Sequence, residues 1–256
     1  MVAPMEQITN NSKVKIIYED AEIIVFDKPA GWETIVDGDK KGKYCFTSRV
    51  REELAGDHFV PCHRLDRDTS GVQVFAKNPY MEQKLLNIFK THELEKDYLA
   101  LCLGSPPQPK GTIRRNLSAW QGGHRPVQVV KTGGVPALTE YELVAKVRDI
   151  EIYEGKTGAL SLVYFRPEEG RTHQIRVHAA SMGIPILGDG NYGDRQVNKA
   201  IEKKTGLYRQ ALHCYRIVFQ HPILKRSLSL TAPFPEDMRK VMDLFVDGTK
   251  ILKNFE

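Results

Sequence analysis

The stretch His63-Arg64-Leu65-Asp66-Arg67-Asp68-Thr69-Ser70-Gly71 sets five ionisable side chains between two apolar runs, and the rest of the chain has to accommodate it. Phe59-Val60-Pro61-Cys62 precedes it. Val72-Gln73-Val74-Phe75-Ala76 follows and alternates as a half-buried strand does, so the charged segment is pinned against core rather than trailing in solvent. Charge held against a core is costly unless it is paired. Asp68, Thr69 and Ser70 read as an ordinary polar turn, with Asp68 bonding the backbone at Ser70 and Gly71 supplying a positive φ. Asp66 reads differently. Leu65 anchors the loop inward, and Arg64 and Arg67 stand close enough to keep a partly buried carboxylate ionised. Those are the conditions for a nucleophile or a base.

A chain of 256 residues with 41% hydrophobic and 27% charged residues can fold around one large core, which argues against dominant disorder. The net charge of +5 permits a polyanionic partner without demanding one. Cys45, Cys62, Cys102 and Cys214 form no Cys-x-x-Cys pair, and no segment is apolar for long enough to span a membrane. Met1 to Ser12 lacks the apolar core of a secretory signal, so reduced thiols and a cytoplasmic location are expected.

Val14–Tyr18 and Glu22–Phe26 read as two strands about a tight turn, and Thr47-Ser48 as the cap of a short helix through Leu54. Asn78-Pro79 starts a helix with Met81, Leu85, Ile88 and Phe89 on its inner face. Lys96 to Gly104 is a strand in which Tyr98 points away from the face of Leu99, Leu101 and Leu103. The run 105–111 breaks regular structure. Between Ile113 and Thr132 come Arg114, Arg115, His124, Arg125 and Lys131 with no acidic residue, which suits a solvated loop or a nucleic-acid surface equally. Leu138–Val147, Glu151–Tyr153 and Leu160–Phe165 read as strands, the last two joined by Gly155-Lys156-Thr157-Gly158. That turn lacks the earlier Gly and the following helix of a triphosphate loop.

Thr172 is placed to cap a helix ending at Gly183, with Ile175, His178, Ala179 and Met182 inward and His173 and Arg176 together on another face. His173 and His178 are spaced wrongly for one metal, and His178 reads as a core histidine; no metal is expected. Arg209–Phe219 and Ser227–Leu230 read as strands, Pro235–Phe245 as a helix, and 247–256 as a C-terminal tail.

Several of these stretches together resemble the RluA family of pseudouridine synthases. They are Asp27-Lys28-Pro29-Ala30-Gly31 after a strand, His63-Arg64-Leu65-Asp66 with Thr69-Ser70-Gly71, Lys96-x-Tyr98, and Gly170-Arg171-Thr172-His173-Gln174-Ile175-Arg176-Val177-His178. The last is followed by Gly183-x-Pro185-Ile186-x-Gly188-Asp189 and Tyr192-Gly193, so the likeness runs from residue 14 to about 234. Trp32-Glu33 departs from the apolar pair usual after the first motif.

The resemblance implies a mixed α/β (α+β) fold: a largely antiparallel bent sheet in two lobes, with flanking helices and a central cleft. It implies a tail at 1–13, a catalytic domain at 14–246, and no separate RNA-binding domain before it. The implied reaction turns uridine in RNA into pseudouridine: C1′–N1 breaks, the uracil turns, and C1′ rejoins at C5. Asp66 is then the catalytic residue, as nucleophile or as the group that abstracts a sugar proton. Tyr98 lies against the target base and is a candidate to take the C5 proton. Arg176 pairs with Asp66, and Arg64 holds the RNA once the uridine has left the stack. Arg114, Arg115, Arg125, Lys131, Arg171 and His173 are the further RNA contacts expected. The partner is ribosomal or transfer RNA rather than DNA or membrane, and the enzyme works as a monomer without a cofactor. The alternatives are an RNA-binding or RNA-folding protein on the same scaffold without turnover, and a glycosidase using Asp66 and Asp68. Two residues in one turn seldom reach the opposed spacing that a glycosidase needs.

Overall fold

The computed structural model describes residues 14–35, 45–55, 58–120 and 126–255. The expected tail at 1–13, together with His124 and Arg125, lies outside the described residues.

The opening hairpin forms as expected, with β1 (Lys15–Glu19) and β2 (Ile23–Lys28) turned by Asp20. Asp20 Oδ1 accepts the N–H groups of Glu22 and Ile23 at 2.8 and 2.9 Å, the local bonding that makes Asp a turn former. Helix α1 (Phe46–Leu54) begins one residue before Thr47; its N-cap is Cys45, and the Thr47 hydroxyl instead donates to Thr34 O at 2.6 Å. β3 (Val60–Pro61) and β4 (Ser70–Ala76) bracket the charged loop. Helix α2 (Pro79–Thr91) carries the predicted cap, Asn78 Oδ1 accepting from Met81 N at 2.9 Å, with Met81 and Leu85 buried. β5 (Leu94–Leu103) follows.

The basic stretch is not all loop. Its first part is β6 (Lys110–Leu117), which pairs with β7 (Val129–Val130) and with β8 (Val135–Tyr153). β8 is one long strand with bulges where two pieces were expected, and it turns through Glu154-Gly155 straight into β9 (Lys156–Pro167). After α3 (Gln174–Ser181) and α4 (Arg195–Thr205) come β10 (Leu212–Gln220) and β11 (Ser227–Thr231). Arg209-Gln210-Ala211 thus precedes β10 rather than opening it. Helix α5 (Glu236–Met242) stops short of Phe245. The stretch expected as a C-terminal tail forms α6 (Gly248–Leu252) and a 3-10 turn, with Leu252 buried and Phe255 edge-on to Tyr215 at 5.4 Å.

The strands make a mixed sheet in the order β1-β2-β4-β10-β5-β9-β8-β6-β7, with β3 beside β4 and β11 beside β10. β4 and β10 run parallel; the other pairings are antiparallel. β4 departs from the half-buried strand expected. All seven of its residues are buried, because β2 closes one edge, β10 and β3 share the other, and core covers both faces.

One row of residues crosses the middle of the sheet: Lys28 beside Gly71, Gly71 beside Cys214, Cys214 beside Tyr98, and Tyr98 beside Phe165. Gly71 is required there. Its φ is +114°, and a Cβ would stand 2.1 Å from Cys214 O. The row ties the loop before β4 to Tyr98 two strands away.

Candidate active site

Asp66 stands in a loop gripped from both ends. Leu65 is buried, and both its N–H and its C=O bond the Thr34 hydroxyl, each at 3.2 Å. Thr34 is held in turn by Gln73 Oε1 at 3.0 Å, while Gln73 Nε2 donates to His63 O at 2.5 Å. Beyond Asp66, the buried Lys28 ammonium donates to Pro29 O, Trp32 O and Arg67 O at 2.9, 2.8 and 3.2 Å, and Gly31 N reaches the same Arg67 carbonyl at 2.9 Å. Burial pulls Lys28 down to about 7, with the Asp68 charge acting against it. Arg209 donates to Asp68 O at 3.2 Å and Gln210 to the Thr69 hydroxyl at 2.7 Å. A loop so braced holds its carboxylate still.

The charge facing Asp66 comes from far along the chain. Arg67 turns to Asp68 at 3.2 Å, so the expected support from the next residue goes elsewhere, and Asp68 meets a guanidinium rather than the Ser70 backbone. Arg176 Nη1 approaches Asp66 Oδ2 at 2.9 Å. Its Nε and Nη2 grip Asp189 at 2.7 and 2.9 Å, and its plane lies over the Tyr192 ring at 5.2 Å. Asp189 Oδ1 also accepts from the backbone of Asn191 and Tyr192 at 2.9 and 3.1 Å. Burial opposes the Arg176 charge, but hydrogen bonds and charge from Asp189 and then Asp66 outweigh it and hold its pKa above the ordinary value.

Helix α3 presents this guanidinium. It starts at Gln174 rather than from a Thr172 cap, because His173 takes the left-handed conformation, φ +57°, and makes the corner itself. Gln174 Oε1 accepts Arg171 N at 3.0 Å, and Lys96 Nζ holds Glu169 O at 3.1 Å, so the loop carrying Arg171 is tied to the start of β5. His173 Nε2 lies 3.9 Å from Asp66 Oδ2, and its Nδ1 lies 2.9 Å from the Tyr192 hydroxyl. Its pKa is lowered by burial, against the pull of Asp66, so the ring is neutral at pH 7. His178 is the core histidine expected, with Nδ1 2.9 Å from Thr139 Oγ1.

Arg64, Asp66, Tyr98, Arg171, His173 and Arg176 line one pocket of about 70 Å³. It shares Asp66 with a cleft of about 990 Å³ whose walls include Trp120 and Tyr208, two exposed aromatic rings. Tyr98 is 9% exposed, and burial, with Cys214 and Asp66 nearby, pushes its phenol well above the usual 10. A neutral phenol is therefore its resting form.

Arg114, Arg115 and Lys131 are exposed on the β6–β7–β8 edge and line neither the pocket nor the cleft. Asp189, Tyr192, Lys28 and Thr34 were not assigned roles from sequence. Asp189 and Lys28 stood inside the quoted motifs, which was the available signal; Thr34 follows the Trp32-Glu33 departure and gave none.

Residues 22–181 match the family described as RNA pseudouridylate synthase. The chain is 32% identical to the tRNA pseudouridine synthase C of Haemophilus ducreyi, over 91% of this chain and 96% of that protein. It is also 32% identical to the ribosomal large subunit pseudouridine synthase C of Rickettsia bellii, over 88% of this chain and 70% of that one. The solved structure of human RNA pseudouridylate synthase domain containing 1 superposes with a TM-score of 0.68 at 25% identity, covering 86% of this chain and 83% of that one. With these stretches gathered around one braced carboxylate and most of the chain aligned, this protein belongs to the RNA pseudouridylate synthase family and is an isomerase acting on RNA.

Proposed function

We propose that Asp66 is the group that acts at the sugar of a uridine in transfer or ribosomal RNA. The observation that supports this most is the Asp66 carboxylate itself: it lies on the wall of the pocket, braced on both sides, and meets the Arg176 guanidinium at 2.9 Å. Such a carboxylate keeps its charge and its aim without rearranging during the reaction. A uridine in a stem has to be flipped out to reach it, at a cost of a few kcal/mol, offset by new contacts in the site. Tyr98 serves as the stacking face for the uracil, since burial disfavours the phenolate that a base would need. Arg64, exposed at the cleft, occupies the space the uridine leaves, and Arg171 contacts the adjoining phosphates.

The relatives' names point to two RNA classes, transfer and ribosomal. Mapping pseudouridine in total RNA from cells with and without the gene decides between them. One or a few uridines in one class should lose the modification; an unchanged map would contradict both classes as the substrate. Four buried free thiols, Cys45, Cys62, Cys102 and Cys214, suit work in the reducing cytoplasm. The proposed working form is a monomer, which sedimentation with and without RNA checks.

A further inference from the structure

Cleaving C1′–N1 leaves the bonding pair on N1, from where it spreads to the O2 and O4 oxygens of the uracil. A preorganised donor at such an oxygen lowers the barrier and keeps the ring from escaping. His173 has the geometry for this. The residue lines both the pocket and the cleft, and its Nε2 lies 3.9 Å from Asp66 Oδ2. Its other nitrogen is 2.9 Å from the Tyr192 hydroxyl. When the Tyr192 hydroxyl donates to Nδ1, the imidazole hydrogen sits on Nε2, the nitrogen 3.9 Å from Asp66. The left-handed corner at residue 173 fixes this aim, and Asn is the residue that best replaces His there.

Resting on Asp66 acting at C1′, we propose that the neutral His173 imidazole is a further catalytic residue, a fixed donor to the uracil oxygen nearest C1′. O2 is that oxygen before cleavage, since C2 is bonded to N1. Uracil is nearly symmetric about the line through N3 and C6: turning it about that line exchanges N1 with C5 and O2 with O4. The same donor therefore holds O2 as the ring leaves and O4 as C5 comes to C1′. C5 then supplies the pair for the new bond, loses its proton, and N1 gains one. No oxidant or reductant enters.

The test uses a short RNA hairpin carrying the uridine that the mapping identifies, made with uridine or with 2-thiouridine at that position. Sulfur is a weak hydrogen-bond acceptor. Single-turnover conversion by the wild type should fall about tenfold on the sulfur swap. With His173→Ala the uridine rate should fall roughly 10²- to 10³-fold and the sulfur swap should change it less than about twofold. His173→Asn, which retains a donor and tolerates the backbone, should sit between, with a circular dichroism spectrum like the wild type. Equal sulfur effects in wild type and His173→Ala would overturn the proposal. Conversion of the uridine hairpin by Asp66→Ala would instead overturn the reading on which it rests.

Discussion

The Arg176 guanidinium is divided between two carboxylates of unlike exposure, Asp66 with a side chain 29% exposed and Asp189 with one at 0%. The second is the one that cannot be left alone. Removing Arg176 strands Asp189 in the interior, which should destabilise the fold by about 3–5 kcal/mol. Urea titration of Arg176→Met measures this. Adding Asp189→Asn should recover much of the loss, and adding Asp66→Asn should recover less; equal recovery would mean that the partners have been assigned wrongly. Arg176→Lys keeps the charge but not the planar fork, so turnover should drop roughly 10- to 100-fold.

Tyr98 should matter through its ring. In an inactive Asp66→Asn background, Tyr98→Phe should bind substrate RNA within about threefold of the parent, whereas Tyr98→Ala should lose about 1–3 kcal/mol of binding. Matching losses in both variants would mean that the hydroxyl, not the face, makes the contact.

The motifs made the chemistry legible before the fold. Asp66, Tyr98 and Arg176 line one pocket, which their spacing in the chain could not show and the family resemblance implied, and α2 was readable from Asn78 and its apolar stripe. What sequence did not show depended on neighbours distant in the chain. Gln73 looked like the polar side of a half-exposed strand, yet it is buried, because Thr34 and the His63 carbonyl satisfy its amide. Thr172 looked like a cap, but His173 turns the corner. Asp189 was one letter of a motif, and only the three-dimensional path shows it holding Arg176.

Arg114 and Arg115 are neighbours on a strand, so their side chains leave opposite faces. Arg115 shares its face with Leu117, which packs with Val177 of α3, the helix that carries Arg176. Arg115→Ala should therefore flatten the plot of log K against log salt by roughly 0.7–0.9, and Arg114→Ala should leave it unchanged. Unaltered slopes in both variants would make this edge a solvated surface.

Buried histidines set the acid limit of the fold. Burial lowers His213 to about 3 and His178 to about 4, both fully enclosed. Below pH 6.5 the unfolded chain binds protons there that the folded chain refuses, so stability is whole above that pH and falls as pH drops toward 4. Between pH 7.5 and 5.5 these two should remove about 3 kcal/mol, read as a lower urea midpoint. A midpoint that rises on acidification would contradict the neutral assignment.

Asp66 acting at the sugar is the step on which the proposed reaction turns. Tritium release from RNA labelled at C5 of uridine measures it most directly, because that proton leaves only when the ring has detached, turned and rejoined. Asp66→Asn and Asp66→Ala should release none above background under single-turnover conditions, while binding the same RNA within a few-fold of wild type. Release from Asp66→Ala at the wild-type rate would contradict the account.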